Sequence, residues 1–467
     1  MKLSGEHIER YLQDESNLKS TGISGVCMPG GAADLSFFLK HNTEPFTVYG
    51  GGTGITGGAT ANSGILISTE NMDRISLDAR ARTISAGAGT RLNSLYEAAG
   101  AAGLWYPAGP TEKTATIGGN AATNAWGAGS YKYGSIRNFI IGLEIVTPKG
   151  DFIEFERGQF TAKGSRFRTP LGSFEICPLP ERNGLKSSAG LYMREGMDLI
   201  DLFIGSEGIL GVITGLKLKL LDAPVNIHGF MVPFDGEDEA LSFIGRMKEV
   251  KDRYMPLSIE YMDADSVMLL AKKEKKLEKT GVLVFIELEE TKGVDVEVFS
   301  GIMEAAGADI DSVSVSSSPS REGFIWKVRE SLPQQVNEII RHNRMRKIST
   351  DFSVADEKAG DMIELYRSAL ERTRVRHVLF GHAGNNNLHI NFMPENDSQA
   401  GEAMEIYDYL ASRIGAMGGS ISAEHGIGKL KKKYLRHMFD EKEITGMKKV
   451  RDFFDPEGIC CPGTMLD

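Results

Sequence analysis

Cysteine is scarce in this 467-residue chain: there are four, Cys27, Cys177, Cys460 and Cys461, and none falls in a CxxC pair. Four are too few for a disulfide framework. Their spacing also argues against an iron–sulfur cluster held by this chain alone, which needs thiolates at cluster spacing. Long apolar runs are lacking as well. No stretch of about 18 apolar residues occurs, so no membrane span is expected. Basic excess is missing: 53 Lys and Arg face 63 Asp and Glu, a net charge of −10. A general nucleic-acid binder would show the opposite balance. Residues 1–17 are polar and charged, unlike a secretory leader. A cytoplasmic location, with no nucleic-acid partner, is the expectation.

What the chain has in quantity is glycine, 54 residues, well above the usual ~7%. It is concentrated in residues 50–58, 118–134, 205–211 and 381–428. Clustered glycine marks backbone that bends unusually or lies close to a ligand. Hydrophobic residues at 41% and charged residues at 25% are otherwise ordinary for a globular protein. The length accommodates roughly two to four domains.

Pattern and punctuation place the elements. A helix is predicted over residues 33–41, and strands over Phe46–Tyr49, Gly64–Ser68 and Thr83–Ala86. A helix at Arg91–Ala101 and a strand at Phe139–Val146 follow, closed by Pro148-Lys149-Gly150, a turn signal. Residues 156–184 read as a long loop. Leucines alternating with Lys217 and Lys219 predict a half-buried strand at Leu216–Leu220. A boundary is placed at Asp222-Ala223-Pro224. Beyond it, strands at Ile227–Val232, Leu257–Tyr261 and Val282–Leu288 alternate with helices at Glu237–Val250 and Val296–Ala306. That order predicts an α+β domain whose sheet is covered by helices on one side. A helix is expected within 321–343, interrupted near Pro333. Strands at Val378–Phe380 and Leu388–Phe392 flank a Gly/Asn-rich loop, and 401–416 reads as helix.

The turn Tyr49-Gly50-Gly51-Gly52-Thr53-Gly54-Ile55-Thr56-Gly57-Gly58 can point successive N–H groups into one concavity and hold an anion such as a phosphate. It contains GxGxxG, but the following ATANSG has no helical apolar pattern and no Walker lysine is present, so a Rossmann or P-loop site is not expected. A flexible surface loop is the bland alternative. Two further segments favour a ligand. One runs Pro107-Ala108-Gly109-Pro110 to Thr116-Ile117-Gly118-Gly119-Asn120-Ala121-Ala122-Thr123-Asn124-Ala125-Trp126-Gly127; the other is Gly205-Ser206-Glu207-Gly208-Ile209-Leu210-Gly211-Val212-Ile213-Thr214.

In this order and spacing the three segments resemble the FAD-binding domain of the vanillyl-alcohol-oxidase/p-cresol-methylhydroxylase (PCMH) superfamily. Within it, the chain is similar to the D-lactate, glycolate and D-2-hydroxyglutarate dehydrogenase branch, from about residue 14 to Pro462-Gly463. The resemblance implies an α+β fold: a PCMH-type FAD-binding domain over 1–222, an α+β substrate (cap) domain with an antiparallel sheet over 223–417, and a C-terminal segment, 418–467, returning to the FAD domain. It implies that Gly50 to Gly58 (Gly50, Gly51, Gly52, Thr53, Gly54, Ile55, Thr56, Gly57 and Gly58) hold the pyrophosphate. Pro110, Thr111, Gly118, Asn120, Thr123 and Asn124 would line the cofactor, with Glu207, Gly208 and Ile213 near the ring system and the ADP half. Some members attach FAD through a histidine in the turn; this turn has Thr53 and no His or Cys, so non-covalent FAD is expected. The family's closing Asn-Pro-Gly is here Cys461-Pro462-Gly463.

Three of the nine histidines sit in two Gly-rich segments, His382-Ala383-Gly384-Asn385-Asn386-Asn387-Leu388-His389 and Glu424-His425-Gly426. Two imidazoles and a carboxylate suit a divalent metal, Zn²⁺, Fe²⁺ or Mn²⁺, with a position left for substrate. Satisfied core or surface histidines are an equal reading of the spacing. The resemblance implies that His382, His389 and Glu424 are metal ligands and His425 the active-site base. The usual middle of the His motif, Asp-Gly-Asn, is replaced by Asn385-Asn386-Asn387. In Trp326-Lys327-Val328-Arg329-Glu330-Ser331, an arginine on an amphipathic helix is ordinarily a solvated face residue. The resemblance instead makes Arg329 the clamp on a substrate carboxylate, a task for its planar fork. Lys347 is a further cation, read as adding charge near Asp351. The run Lys429-Leu430-Lys431-Lys432-Lys433 reads as a solvated basic helix face.

The implied function is FAD-dependent oxidation of a small D-2-hydroxy acid to the 2-oxo acid, with metal assistance. Electrons would pass to a quinone or a protein acceptor such as an electron-transfer flavoprotein or an iron–sulfur subunit. The alternatives are a flavin-binding electron-transfer subunit without its own substrate, and a metal hydrolase, which lacks the HExxH helix of common zincins.

Overall fold

The computed structural model describes residues 2–3, 5–250, 254–290 and 295–467; Met1 and Ser4 of the polar N-terminal stretch lie outside them. The first half builds two main sheets, beside two small two-stranded ones. In chain order its principal elements are β1 (Ile23–Cys27), α1 (Ala32–Leu39), β2 (Phe46–Tyr49), β3 (Gly64–Ser68), β4 (Ile75–Asp78), β5 (Thr83–Gly87), α2 (Leu92–Gly100), α3 (Ile117–Thr123), β6 (Ile140–Val146), β7 (Phe152–Glu156) and β8 (Val212–Lys219). Strands β1 and β2 each pair in parallel with β3. The second sheet is antiparallel, in the order β4-β5-β8-β6-β7. Its central strand β8 buries Leu216 and Leu218 and turns Lys219 outward, the period-2 pattern of a strand with one covered face.

The glycine turn joins β2 to β3, and no helix follows it. Glycine is required there by contact. A Cβ on Gly50 would lie 2.7 Å from Thr116 Oγ1, and one on Gly52, at φ +70°, 2.2 Å from Tyr49 Oη. The turn thereby packs against the start of α3, whose first turn is capped by Thr116 Oγ1 accepting from the Gly119 N–H.

The chain then enters a third main sheet, seven-stranded and antiparallel. Its elements are β9 (Asn226–Phe234), α4 (Glu237–Glu249), β10 (Ser258–Met262), α5 (Ala264–Ala271), β11 (Val282–Glu290), α6 (Val296–Ala305), β12 (Ser314–Ser318), α7 (Phe324–His342), β13 (Ile348–Ser349), α8 (Ala359–Leu370), β14 (His377–His382) and β15 (Asn387–Phe392), ordered β12-β9-β11-β10-β14-β15-β13. Helices cover both faces, not one. Ile227, Met231, Leu283 and Phe285 pack with Val267 of α5 and with Trp326 and Leu332 of α7. Phe230, Val232, Val284 and Ile286 share the main core with Phe243 of α4, Phe299 of α6 and Met362 of α8. Strands apolar at successive positions must be buried on both sides.

Other expectations are corrected. Helix α7 runs unbroken through Pro333. The proline removes one backbone donor, but the buried stripe Ile325, Val328, Leu332, Val336 and Ile340 continues past it, so packing carries the helix through the proline. Residues 156–184 are not simply a loop: Arg166–Thr169 and Gly172–Glu175 form a hairpin. It stacks Phe167 on Phe174, which meets Phe453 and Phe454. After α9 (Asp397–Ala416) the chain returns to the first half through α10 (Glu441–Phe454). Phe46 N–H donates to Ile459 O and Cys461 N–H to Phe46 O, both at 2.7 Å. Among the described residues, no helix is long and apolar enough to cross a membrane.

Candidate active site

Two groups of residues converge where the C-terminal segment crosses the first half. The first is a cavity. Gly50, Gly51, Gly52, Thr53, Gly54, Thr56 and Gly58 form one wall, Gly118, Asn120 and Thr123 of α3 another, and Glu207, Gly208 and Ile213 a third. Ile55 and Gly57 belong to the same turn but do not line it, nor do Pro110, Thr111 and Asn124. Asn124, at the left-handed end of α3, accepts from Ser135 Oγ and donates to Ser187 O. The walls are mostly backbone and methyl groups. Asn120 Nδ2 is buried with no hydrogen-bond partner in the protein, the state of a donor reserved for a ligand acceptor. Glu207 closes one end, accepting from Ile427 N–H at 2.7 Å and Gly428 N–H at 2.6 Å. Burial pushes its carboxyl up to about 7, against those two backbone donors, which pull it down.

The second group is built from side chains. In the β14–β15 hairpin, Phe380 pairs with His389 and His382 with Asn387, so both imidazoles project from one face. Glu424 Oε1 lies 3.1 Å from His389 Nε2 and 3.3 Å from His382 Nε2. The remaining atoms of these groups are each held from behind. His382 Nδ1 is 3.3 Å from Glu260 Oε1 on β10, His389 Nδ1 is 2.8 Å from the Thr350 carbonyl, and Glu424 Oε2 accepts from Lys186 Nζ at 3.0 Å. Partners on the outer nitrogens fix tautomer and ring orientation, as they do behind metal-bound histidines. Three inward atoms within 4.8 Å of one another and three satisfied outward atoms fit a divalent cation. Burial alone would raise the Glu424 carboxyl, but Lys186 and His382 hold it well below its ordinary range. Burial lowers His389, which favours the neutral imidazole a cation needs.

His425 stands beside this cluster, its Nε2 3.9 Å from Glu424 Oε1. Its Nδ1 lies 3.1 Å from Asp351 Oδ2, and its backbone N–H donates to the same oxygen at 3.0 Å. Asp351 is buried and also accepts from Lys431 Nζ at 2.8 Å and Ser422 Oγ at 3.0 Å. Burial would raise its carboxyl; His425 and Lys431 more than offset that and keep it ionised.

Residues 224–465 match the C-terminal domain of FAD linked oxidases, and residues 24–156 match their FAD binding domain. The chain belongs to the FAD-linked oxidase family. The chain is 30% identical over 442 residues to the D-lactate dehydrogenase of Anaerostipes hadrus, covering 91% of this chain and 85% of that protein. It is 29% identical to the D-lactate dehydrogenase of Archaeoglobus fulgidus, covering 94% and 91%. It is 26% identical to the D-2-hydroxyglutarate dehydrogenase of Xanthomonas citri pv. viticola, covering 100% and 94%. Among solved structures, alkyldihydroxyacetonephosphate synthase shares the fold, with a TM-score of 0.62 at 18% identity, covering 95% of this chain and 77% of that one. FAD is therefore the cofactor that the matched domains support.

The structure places some predicted residues differently. Arg329 donates from Nε to Glu260 Oε2 at 2.8 Å and from Nη2 to Glu260 Oε1, so it reaches His382 through Glu260. Asp351 faces His425 Nδ1 and the Lys431 ammonium, while Lys347 has Glu15 as its electrostatic partner. Lys431 is buried, not solvated, and Lys432 and Lys433 pair with Asp467 and Asp408. Asn386 takes the left-handed conformation at φ 49°, where asparagine is the best substitute for glycine. Its carboxamide donates to Val354 O and Asp356 Oδ1. Lys186, Glu260, Thr350 and Asp351 were not singled out as site residues. The one available signal was an acid inside an apolar strand, Glu260 in Ser258–Met262, since such a group is rarely buried unpaired.

Proposed function

We propose that this protein is an FAD-dependent dehydrogenase that converts a small D-2-hydroxy acid, of the D-lactate, glycolate or D-2-hydroxyglutarate class, to its 2-oxo acid. The observation that carries the reading is the His425–Asp351 dyad, 3.1 Å apart, set against the His382–His389–Glu424 cluster. A pure electron relay has no need of a positioned base. Bound FAD supplies the acceptor for the C2 hydrogen and its electron pair. A divalent cation on His382, His389 and Glu424, Zn²⁺, Fe²⁺ or Mn²⁺, supplies Lewis acidity at the substrate hydroxyl.

The protein's own groups do the rest. Asp351 engages Nδ1 of His425 and leaves Nε2 with its lone pair to take the hydroxyl proton. Lys431 keeps the Asp351 carboxylate balanced. Arg329 retains Nη1 outside its pairs with Glu260 and offers it to the substrate carboxylate. The backbone walls at Gly50–Gly58 hold the FAD pyrophosphate, and with no His or Cys in that turn the cofactor dissociates on denaturation. The domains follow this division: 1–222 binds FAD, 223–417 caps the substrate, and 418–467 brings Glu424 and His425 to both. Reoxidation falls to a quinone or protein acceptor, in the cytoplasm.

The deciding experiment is anaerobic titration of the yellow protein with D- and L-2-hydroxy acids, with and without a chelator. Bleaching by a D-isomer that the chelator abolishes is the expected result; no bleaching by any acid, metal restored, removes the proposal.

A further inference from the structure

Lys186 lies on none of the motifs that point to the site, yet its ammonium is inside it. The side chain is 2% exposed. Nζ donates to Asn387 Oδ1 at 2.9 Å and to Glu424 Oε2 at 3.0 Å, and it lies 5.6 Å from the centre of the Trp126 ring. The backbone is fixed too, because the Lys186 carbonyl accepts from Ser353 Oγ. A buried ammonium is tolerated only when its donors are taken, and here the takers come from two separate segments, the β14–β15 hairpin and the C-terminal return. The two oxygens of Glu424 consequently face different partners. Oε1 looks toward His382 and His389; Oε2 is occupied by Lys186.

We propose that Lys186 is a positioning residue that reserves Oε2 of Glu424, so that the carboxylate presents a single oxygen to the cation held with His382 and His389. The inference rests on the metal-assisted reading above. One oxygen beside two imidazoles is a donor set for Zn²⁺, Mn²⁺ or Fe²⁺. Ca²⁺ seeks about six to eight oxygens and favours bidentate carboxylates, so Lys186 selects against it. The ammonium also offsets the charge of Glu424, which leaves the site more attractive to an anionic substrate and keeps coordination positions open for it.

The test uses the full-length, FAD-loaded protein and Lys186→Met, which keeps the length of the chain and loses the ammonium. Zn²⁺ and Ca²⁺ affinities are measured by competition with a chromophoric chelator, and Co²⁺ is added as a spectroscopic probe. The expected result is a gain of Ca²⁺ over Zn²⁺ of about tenfold or more, the size of effect partners behind a ligand produce, with a weaker Co²⁺ visible band as a second oxygen joins. An affinity ratio within twofold of wild type and an unchanged Co²⁺ band overturn the proposal. Should Lys186→Met fail to retain FAD, a crystal structure of the Zn²⁺-loaded wild type decides. One Glu424 oxygen on the cation and Lys186 on the other supports the proposal; both oxygens on the cation overturn it while leaving the metal reading intact. A wild type that binds no cation overturns the metal reading and this inference together.

Discussion

The glycine-walled cavity, proposed to hold the flavin, and the histidine cluster are built on opposite principles. The cavity is backbone: glycines at 50–58 and 118–119 let the chain approach closely, and few side chains specify anything. The cluster is built mainly of side chains: two imidazoles and a carboxylate face inward, and the Glu260 and Lys186 side chains with the Thr350 backbone carbonyl hold them from outside. A backbone cradle is local in sequence and fails through steric change. A layered side-chain cluster draws on segments more than two hundred residues apart and fails through loss of charge partners. If that contrast is right, changes in one region spare the ligand of the other.

The largest effect is expected at the dyad. His425→Asn removes the proton acceptor and should slow flavin reduction about 10²- to 10⁴-fold, the usual contribution of a general base. FAD content and cation affinity should stay at wild-type values. Stopped-flow reduction under anaerobic conditions reads the rate, and a fall of less than about tenfold takes His425 out of the base role.

Next is a pH effect where the two regions join. Glu207 is raised from 4.5 to about 7 by burial. A carboxyl raised on folding holds its proton longer in the folded chain than in the unfolded one. Stability is therefore lost as pH climbs from 4.5 toward 7, and the loss levels off above that. The shift corresponds to about 3 kcal/mol. Unfolding midpoints of the FAD-free protein should fall across this window, and Glu207→Gln should flatten the slope. Parallel pH curves for the two proteins would falsify the assignment.

The same contrast explains what the sequence disclosed. Strands Phe46–Tyr49 and Gly64–Ser68, the glycine turn between them and the absence of a following helix are local facts, written in consecutive residues. His382, His389 and Glu424 drew attention because they sit in short Gly-rich segments, but the spacing left satisfied histidines as an equal reading and only the family resemblance implied a ligand role. Their supports drew none. Lys186 lies outside any helix or strand, and only tertiary packing brings it to Glu424. Lys431 was hidden by its company: in a run of lysines each reads as solvated, but Asp351 draws this one inside. The second helical face of the large sheet was hidden for a similar reason, since strands apolar on both sides do not say which helices will cover them.

In the cradle, Gly52→Val places a β-branched side chain at φ +70° with its Cβ 2.2 Å from Tyr49 Oη. A non-glycine residue there stores about 1–3 kcal/mol of strain, so FAD affinity should fall roughly 10- to 100-fold. Cation binding at the cluster should be untouched. Equilibrium dialysis of flavin beside chelator competition tests both halves. Joint loss of the two ligands would show that the cavity and the cluster form one cooperative unit.

The smallest effect probes the outer layer of the cluster. Glu260→Gln keeps the shape of the side chain and removes the charge between Arg329 and His382 Nδ1. An amide orients an imidazole less firmly than a carboxylate does, and Arg329 is left buried beside a neutral group. Cation affinity should weaken about tenfold, the lower end of the range for partners behind a ligand, while FAD affinity stays constant. Glu260→Asp, which restores the charge at a shorter reach, should recover part of the loss. Equal affinity in all three proteins would mean that the inward atoms alone define the site and that the layered description of the cluster is wrong.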